Sequence, residues 1–380
     1  MFSRSFSVLR KETREILRDP YTLSIALLLP LVMLFLFAYG VNTDVRNIQM
    51  AVLDFDQSAA SRDYIQVFFS SSSFEAVGVG KVNNYEQAGE MLDRDTADVV
   101  LVILPGFART LSNGGQAQIQ TLLDGSYTPS AQVAESYIEA INAAYNGRII
   151  SKYIESQTGQ SLDEYISLQV QSRVLYNPGL KSVNAIVPGL FGVILIALPP
   201  LLSALAIVRE KERGSIQQVF VSPIRPLELI MGKLIPYAVI AFIEMIIVFA
   251  GGILWFGVPF RGSLLIFLVA SVLYVLCTVG IGLLISTLTR SQATAGLLAI
   301  VLTIMPSMLF SGFIFPIHTM PTPMQAYANA FPARYFIDIS RALALKGQGI
   351  SSVAPAMGFM AAYAASLILL SALRFKKRIG

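Results

Sequence analysis

Charged residues are scarce in this sequence. They make up 14% of its 380 residues, whereas soluble domains carry about 25%. The sequence also contains a single cysteine, Cys277, and a single histidine, His318. A disulfide within the chain is therefore excluded, and we assign no metal site and no catalytic site. The nucleotide-binding pattern GxxxxGK[ST] is absent as well, so no loop of that type holds a phosphate.

Long apolar runs account for the shortage of charge. Six runs are about 20 residues or longer, the length that crosses a hydrocarbon core of about 30 Å. Inside lipid every backbone group must be bonded within its own segment, which predicts six transmembrane helices. No small-residue cleavage site follows the first run, which favours a retained helix over a cleaved signal peptide. The runs are 21–40, 185–208, 229–256, 263–288, 293–315 and 353–373.

The basic residues predict the orientation. More than half of the 28 Lys and Arg residues would lie on one side of six spans, and basic residues concentrate on the cytoplasmic side of membrane proteins. Both termini are therefore expected in the cytoplasm. No basic groove with interleaved aromatic residues indicates nucleic acid. The basic residues on that side are Arg4, Arg10, Lys11, Arg14, Arg18, Arg209, Lys211, Arg213, Arg225, Lys233, Arg290, Arg374, Lys376, Lys377 and Arg378.

The 41–183 segment separates the first two spans and is long enough to form its own core. Its apolar runs at 49–55, 74–79, 98–104 and 117–123 alternate with helical patterns. Such alternation predicts an extracytoplasmic α/β domain with a largely parallel sheet.

The remaining chain, 184–380, predicts a five-helix membrane region with two notable loops. The outer loop, 316–350, is apolar but interrupted by four prolines, which favours short helices that re-enter the membrane. An ordinary structured loop is the alternative. Arg334, Asp338 and Arg341 are expected at the rim of this loop, and His318, which also lies in it, is expected to face solvent or to cap a helix.

The other loop, 209–228, is short and charged. Ser215 and Gln218 have capping-box spacing, which predicts a helix that Pro223 ends. Ile216, Val219 and Phe220 would share one face of this helix. With nothing of its own chain to cover it, that face is suited to docking into a partner's groove or to lying flat in the lipid headgroups.

Glu244 lies about eleven residues past Lys233 in the third apolar run, and the helix rise places it near the middle of the bilayer. A carboxylate there costs about 2.5–3.5 kcal/mol on insertion scales, so we expect it to face protein or a wet path. Two interpretations remain open, namely a contact with a substrate cation or a proton, and a protonated side chain bonded to a neighbouring helix.

Several stretches resemble the ABC-2 type transporter permeases, in the drug-exporter branch that has a large periplasmic domain between its first two helices. The similar stretches occur in family order along the whole chain. They include LRKETREILRDP, YNPGLKS, EKERGSIQQVFVSPIRPLELIMGKLIPY, GLLISTLTRSQ and PARYFIDISRALALKG.

The resemblance implies a non-catalytic permease subunit in the inner (plasma) membrane of a bacterium, working as a homodimer or with a close paralogue. ATP and Mg would bind to a separate cytoplasmic ATPase dimer, with no cofactor on this chain. A periplasmic adaptor and an outer-membrane channel are further candidate partners. The expected cargo is an amphiphilic, drug-like or lipid-linked compound, exported from the cytoplasm or the inner leaflet.

The resemblance also implies roles for two cytoplasmic segments. The short loop helix would be the coupling helix, which rests on the ATPase. An amphipathic helix within residues 1–19, ahead of the first span at 20–40, would lie along the membrane with Phe6, Leu9, Ile16 and Leu17 on its apolar side. The residues expected at the coupling contact are Glu212, Arg213, Gly214, Ile216, Val219, Phe220 and Pro223.

Two other classes of protein remain as alternatives. A receptor or anchoring protein would bind its ligand with the outer domain, but it needs a cytoplasmic signalling domain for which these loops leave no room. An ion-driven secondary transporter would be expected to have repeated halves and several intramembrane ionisable residues, whereas Glu244 is essentially alone.

Overall fold

The computed structural model describes residues 2–40, 48–71, 73–78, 82–126, 128–158, 175–177 and 181–375. Its contacts divide the chain into two units, Thr43–Arg173 and a membrane unit formed by Met1–Asn42 with Val174–Gly380. The expected start of the insert at residue 41 and the basic residues Lys376, Lys377 and Arg378 lie outside the described residues.

The Thr43–Arg173 unit contains a four-stranded sheet with helices on both faces. Its strands are β1 (Ile48–Asp54), β2 (Phe74–Ala76), β3 (Val99–Ile103) and β4 (Ile119–Leu123), in the order β2-β1-β3-β4. β1 pairs in parallel with β2 and β3, whereas β4 is antiparallel to β3. The helices are α3 (Ala59–Phe69), α4 (Tyr85–Asp93), α5 (Phe107–Ser112) and α6 (Thr128–Thr158).

The central strand β3 is buried on both faces. Val99, Leu101 and Ile103 join a core with α3, α5 and α6, and Val100 and Val102 join a second core with α4. A strand covered by helices on both sides needs apolar residues at every position. This is why its sequence, VVLVI, is continuous rather than alternating.

The membrane unit contains six helical segments that are long and apolar enough to cross a membrane: Pro20–Gly40, Ser182–Glu212, Pro226–Trp255, Leu264–Leu288, Gln292–Phe310 and Ile350–Arg374. The second is made of two helices, α7 (Ser182–Leu195) and α8 (Leu198–Glu212). The fifth was expected to reach residue 315 but ends at Phe310, because Gly312 adopts a left-handed conformation with φ of 78°.

The other helices of this unit include those that form the spans. They are α1 (Phe2–Leu17), α2 (Pro20–Gly40), α9 (Ile216–Val221), α10 (Pro226–Ala250), continued by a π-helical turn at Gly251–Trp255, α11 (Leu264–Leu288), α12 (Gln292–Phe310), α13 (Thr322–Ala328), α14 (Pro332–Ala344) and α15 (Ile350–Arg374). α1, α9 and the α11–α12 turn lie at one end, which we call the α9 end. α13 and α14 lie at the opposite end, the α14 end.

α14 belongs to the packed core of the membrane unit. It contacts α7, α11 and α15, and its Phe336 stacks on Tyr274 of α11 with ring centroids 4.3 Å apart. The Tyr274 hydroxyl donates a hydrogen bond to the Gly192 carbonyl of α7 at 2.6 Å. The proline-rich outer segment therefore places a helix among the ends of the spans.

α8 and α11 cross unusually closely at Gly282. A Cβ atom at this position would overlap Ser203 Oγ and the Pro200 carbonyl. The Ser203 hydroxyl lies 2.7 Å from the Pro199 carbonyl and 3.1 Å from the Val279 carbonyl and shares its single proton between them; the contact with Val279 joins the two helices. A small residue that lets two backbones approach is typical of helix packing in membranes.

Gly282→Ala should therefore lower the stability of the protein, because overpacking a tight contact costs about 1–3 kcal/mol. The measurement is the thermal unfolding midpoint of the purified protein in detergent. Gly296→Ala on α12 is the matched control, since its added Cβ meets only Leu201 Cδ1 at 3.5 Å. Equal midpoints for the two variants would contradict the tight crossing.

Candidate functional site

The loop after α8 contains a six-residue helix, α9, but its start differs from the prediction. Ser215 has a helical backbone conformation and its side chain caps nothing in α9; the hydroxyl instead donates to the Glu210 carbonyl at 3.4 Å. The capping-box prediction is wrong, because Gly214, with φ of 72°, makes the turn and Ser215 is already inside it.

The apolar face of α9 is partly covered by the protein itself. Ile216 is 7% exposed and joins the main core of the membrane unit, whereas Val221 is 81% exposed. The expectation that its own chain leaves this face uncovered is therefore wrong for Ile216. The side chains of Val219 and Phe220 lie outside the described residues, so their contact with a partner stays a prediction.

The last residues of α8 bind several neighbouring helices. We call residues 209–212 the charged end of α8. Arg209 lies 3.9 Å from the Asp19 carboxylate, and Asp19 in turn accepts hydrogen bonds from the Thr22 backbone and hydroxyl at 3.1 and 2.6 Å, at the start of α2. Those Thr22 hydrogen bonds lower the pKa of Asp19, with a smaller contribution from Arg209.

Glu210 joins α8 to α1 and α10. It forms ion pairs with Lys11 and with Lys233, the second at 3.1 Å. The Lys233 side chain is completely buried; it also binds the Glu12 carboxylate and donates to the Ala206 carbonyl at 3.2 Å. Two acids and two lysines from three helices thus form one largely buried cluster.

Burial and charge act against each other in this cluster. Burial raises the pKa of Glu12, and the nearby Lys233 ammonium works against that rise. For Lys11, burial lowers the pKa, but the hydrogen bond and the charge of Glu210 outweigh it, so the pKa of Lys11 is raised. A buried charge is retained only when it is paired and hydrogen-bonded. Every charge of this cluster is paired, although Glu210 Oε2 has an ion-pair contact with Lys233 and no hydrogen bond among the described residues.

Lys211 binds the end of α11. Its ammonium group donates to the carbonyls of Ser286 (2.7 Å), Thr287 (3.2 Å) and Thr289 (2.9 Å). The last carbonyls of a helix have no partner within it and carry partial negative charge, so a lysine is favourable at this position.

Glu212 binds the start of α12. Its carboxylate accepts a hydrogen bond from the Gln292 backbone N–H at 2.7 Å and another from the Gln292 side chain. We expected Glu212 to face a partner, but here it is bonded within its own chain, at the N-terminus of a helix where an acid is favourable. Consecutive residues of α8 therefore bind different helices.

The first helix packs against this cluster with the face that carries Val8 and Glu12. Val8 packs against Gly232 of α10, and Glu12 is 3% exposed. Arg4 donates to the Pro223 carbonyl at 2.7 Å, next to α9. Of the residues expected on the apolar side, Phe6 and Leu17 are exposed at 63% and 65%, whereas Leu9 and Ile16 are half-buried.

Three carboxylates at the α9 end could in principle hold a cation. Those of Glu12, Glu15 and Glu210 lie within 4.8 Å of one another. Lys11 and Lys233 already supply two ammonium groups at this point. A metal ion would have to displace lysines from buried ion pairs, so we assign none. Arg213 lines a small cavity of about 70 Å³ beside these acids.

Glu244 lies in the interior of the membrane unit. Its side chain is fully buried on the face of α10 that also carries Ala241, Met245 and Val248. Neither carboxylate oxygen has a hydrogen-bond partner among the described residues. In this conformation Glu244 therefore does not form the hydrogen bond to a neighbouring helix that the second interpretation requires.

The outer-loop residues come together at the α14 end. His318, Arg334 and Asp338 line one open cavity with Arg341. The spacing of Arg334, Asp338 and Arg341 places these three on one face of a helix, but the sequence gave no reason for His318 to meet them.

Sequence reasoning missed the buried cluster of Lys11, Glu12, Glu210 and Lys233. Lys11 and Lys233 were counted only among the basic residues on one side of the membrane, and no contact was predicted for Glu12 or Glu210. One signal was present, since Lys233 is followed by an apolar run and Val8 and Glu12 lie one turn apart on α1. Charges at such positions are rarely buried without partners.

Taken together, these features define a multi-pass helical membrane protein whose charged end ties several spans to a short connecting helix. A family model described as "ABC-2 family transporter protein" matches residues 20–373. The chain belongs to the ABC-2 transporter family.

Three curated relatives match nearly the full length. The chain is 34% identical over 373 residues to "Probable multidrug ABC transporter permease YbhS" of Escherichia coli (strain K12), covering 97% of this chain and 96% of the relative. It is 31% identical over 353 residues to "Probable multidrug ABC transporter permease YbhR" of the same organism, covering 93% of each. It is 25% identical over 379 residues to its "Inner membrane transport permease YhhJ", covering 97% and 96%.

Proposed function

We propose that this chain is the membrane-spanning subunit of an ATP-driven exporter, and that α9 receives motion from a separate cytoplasmic ATPase dimer. The observation that carries the proposal is the charged end of α8, whose consecutive residues bind α1 with α10, then α11, then α12. A push on α9 would reach α8 within a few residues and pass from there to these helices together.

The rest of the assembly follows from the family and from the distribution of charge. Both termini and α9 face the cytoplasm of a bacterium, in line with the basic residues on that side. A second permease chain, identical or closely related, completes the transport path. ATP and Mg bind to the ATPase subunits, and a periplasmic adaptor with an outer-membrane channel is a further candidate partner.

The proposed cargo is an amphiphilic, drug-like or lipid-linked compound, taken from the cytoplasm or the inner leaflet. The support is the printed name of two relatives, which are called probable multidrug permeases. A ligand-binding anchor would not need a connecting helix joined so closely to several spans. An ion-driven carrier would need ionisable groups along its path, and Glu244 is essentially the one mid-span candidate in the sequence.

Phe220→Asp should uncouple the transporter, because a charge on the apolar side of α9 weakens docking to the ATPase. The measurement is export of a fluorescent amphiphile and cargo-stimulated ATP hydrolysis by the co-purified permease–ATPase complex. Gln218→Asp introduces the same charge about 200° around the helix, at an exposed position, and should retain function. Normal export by the Phe220 variant would overturn this role for α9.

Glu244 is proposed to contact a substrate cation or a proton when the spans rearrange. In the present conformation its oxygens are buried without a partner, a costly state that a second conformation would relieve. Glu244→Gln should reduce export of cationic compounds several-fold and leave neutral ones unchanged. Equal export of both classes by this variant and the original protein would refute the contact.

A further inference from the structure

An open cavity of about 390 Å³ lies at the α14 end of the membrane unit. Arg334, Asp338 and Arg341 of α14 line one side of it, and their spacing of four and three residues places them on one face of the helix. His318 and Gln325, from the segment before α14, line the other side. Polar side chains from separate elements thus converge on one space.

The two arginines carry positive charge that Asp338, one turn from each, offsets only in part. Arg341 donates to the carbonyls of Gly312 at 2.8 Å and Phe313 at 3.4 Å, and Arg334 donates to the Asn329 side chain. All of these partners are neutral, and no direct ion pair joins either arginine to an acid in the described part of the chain. Each guanidinium has five N–H groups, so donors remain for an anion.

Asp338 lies one turn from each arginine yet bonds to neither. No hydrogen bond or direct ion pair is found for its carboxylate among the residues that the structure describes. Asp338 is exposed at the cavity. Desolvation by the groups around it still raises the pKa of its carboxyl, while the charges of Arg334, Arg341 and Lys346 act in the opposite direction. The cavity therefore presents two cationic groups and one separate acceptor to whatever fills it.

The surroundings favour an amphiphile over a free ion. Ile314, Phe315, Met324 and Tyr327 of the same outer segment are each about half exposed. Phe315 and Met324 are next in sequence to the lining residues Pro316 and Gln325. Exposed apolar side chains close to a polar cavity at the end of membrane spans are suited to acyl chains next to a headgroup.

We propose that this cavity binds the headgroup of an aminophospholipid, with the phosphate between Arg334 and Arg341 and the primary ammonium at Asp338. Guanidinium groups match the geometry of phosphate oxygens, and a carboxylate accepts strong hydrogen bonds from an ammonium. A methylated ammonium has no N–H group and would lose that contact.

The test uses the full-length protein, purified and delipidated in detergent, with bound lipid measured by native mass spectrometry. Dioleoyl phosphatidylethanolamine and dioleoyl phosphatidylcholine are compared, since they share the phosphate and differ in N–H donors. The original protein should bind phosphatidylethanolamine about tenfold more tightly, the worth of one good charged hydrogen bond.

Three variants separate the contributions. Asp338→Asn should abolish the preference between the two lipids, and Arg334→Gln should weaken both about tenfold. Lys346→Gln removes an exposed cation of the same segment that does not line the cavity, although its charge acts on Asp338. It should keep the preference for phosphatidylethanolamine. Arg341 is left in place because it also binds the segment that follows α12.

Two results would overturn the proposal. One is that Asp338→Asn and Arg334→Gln bind both lipids as the Lys346 variant does. The other is that soluble phosphoethanolamine competes as well as the lipid does, which would make the ligand a water-soluble phosphate compound. Because no ATPase is involved, either result is independent of the coupling role proposed for α9.

Discussion

The membrane unit depends on one interaction, the burial of Lys233 between the carboxylates of Glu12 and Glu210. Removing one partner of such a buried pair generally costs about 3–5 kcal/mol, because the other charge is left without compensation. An exposed pair on one helix, such as Glu90 with Arg94, contributes about 0.3–0.5 kcal/mol. The buried cluster, and not the number of surface charges, therefore fixes α1, α8 and α10 to one another.

Because of this buried cluster, we expect the α9 end of the membrane unit to be rigid and the middle of its spans to be able to rearrange. At the α9 end, Lys211 and Glu212 complete the attachment of α8 to α11 and α12, so these helices are expected to move as one body. Farther along α10, Glu244 lies buried without a hydrogen-bond partner among the described residues. An unsatisfied carboxyl destabilises the present packing, so this is the position where rearrangement has most to gain.

The sequence predicts the helical spans well because their length and apolar character are local properties, and β3 is predictable from its unbroken apolar run for the same reason. The sequence does not predict contacts between residues that are far apart in the chain. Glu12 and Lys233 are far apart in the chain, and a charge pattern does not say which partner it will meet. The capping box at Ser215 failed because Gly214 changed the backbone before it. The spacing of residues within α9 does not predict that Ile216 is buried, because this burial depends on contacts with other helices.

Transport per ATP hydrolysed tests the central claim most directly. Lys211→Met removes the three bonds to the end of α11, and Arg290→Met removes a neighbouring exposed cation as a control. In the purified permease–ATPase complex, the Lys211 variant should assemble and hydrolyse ATP but export several-fold less cargo per ATP, while the Arg290 variant stays unchanged. If the Lys211 variant exported as much cargo per ATP as the original protein, the charged end of α8 would not carry the motion.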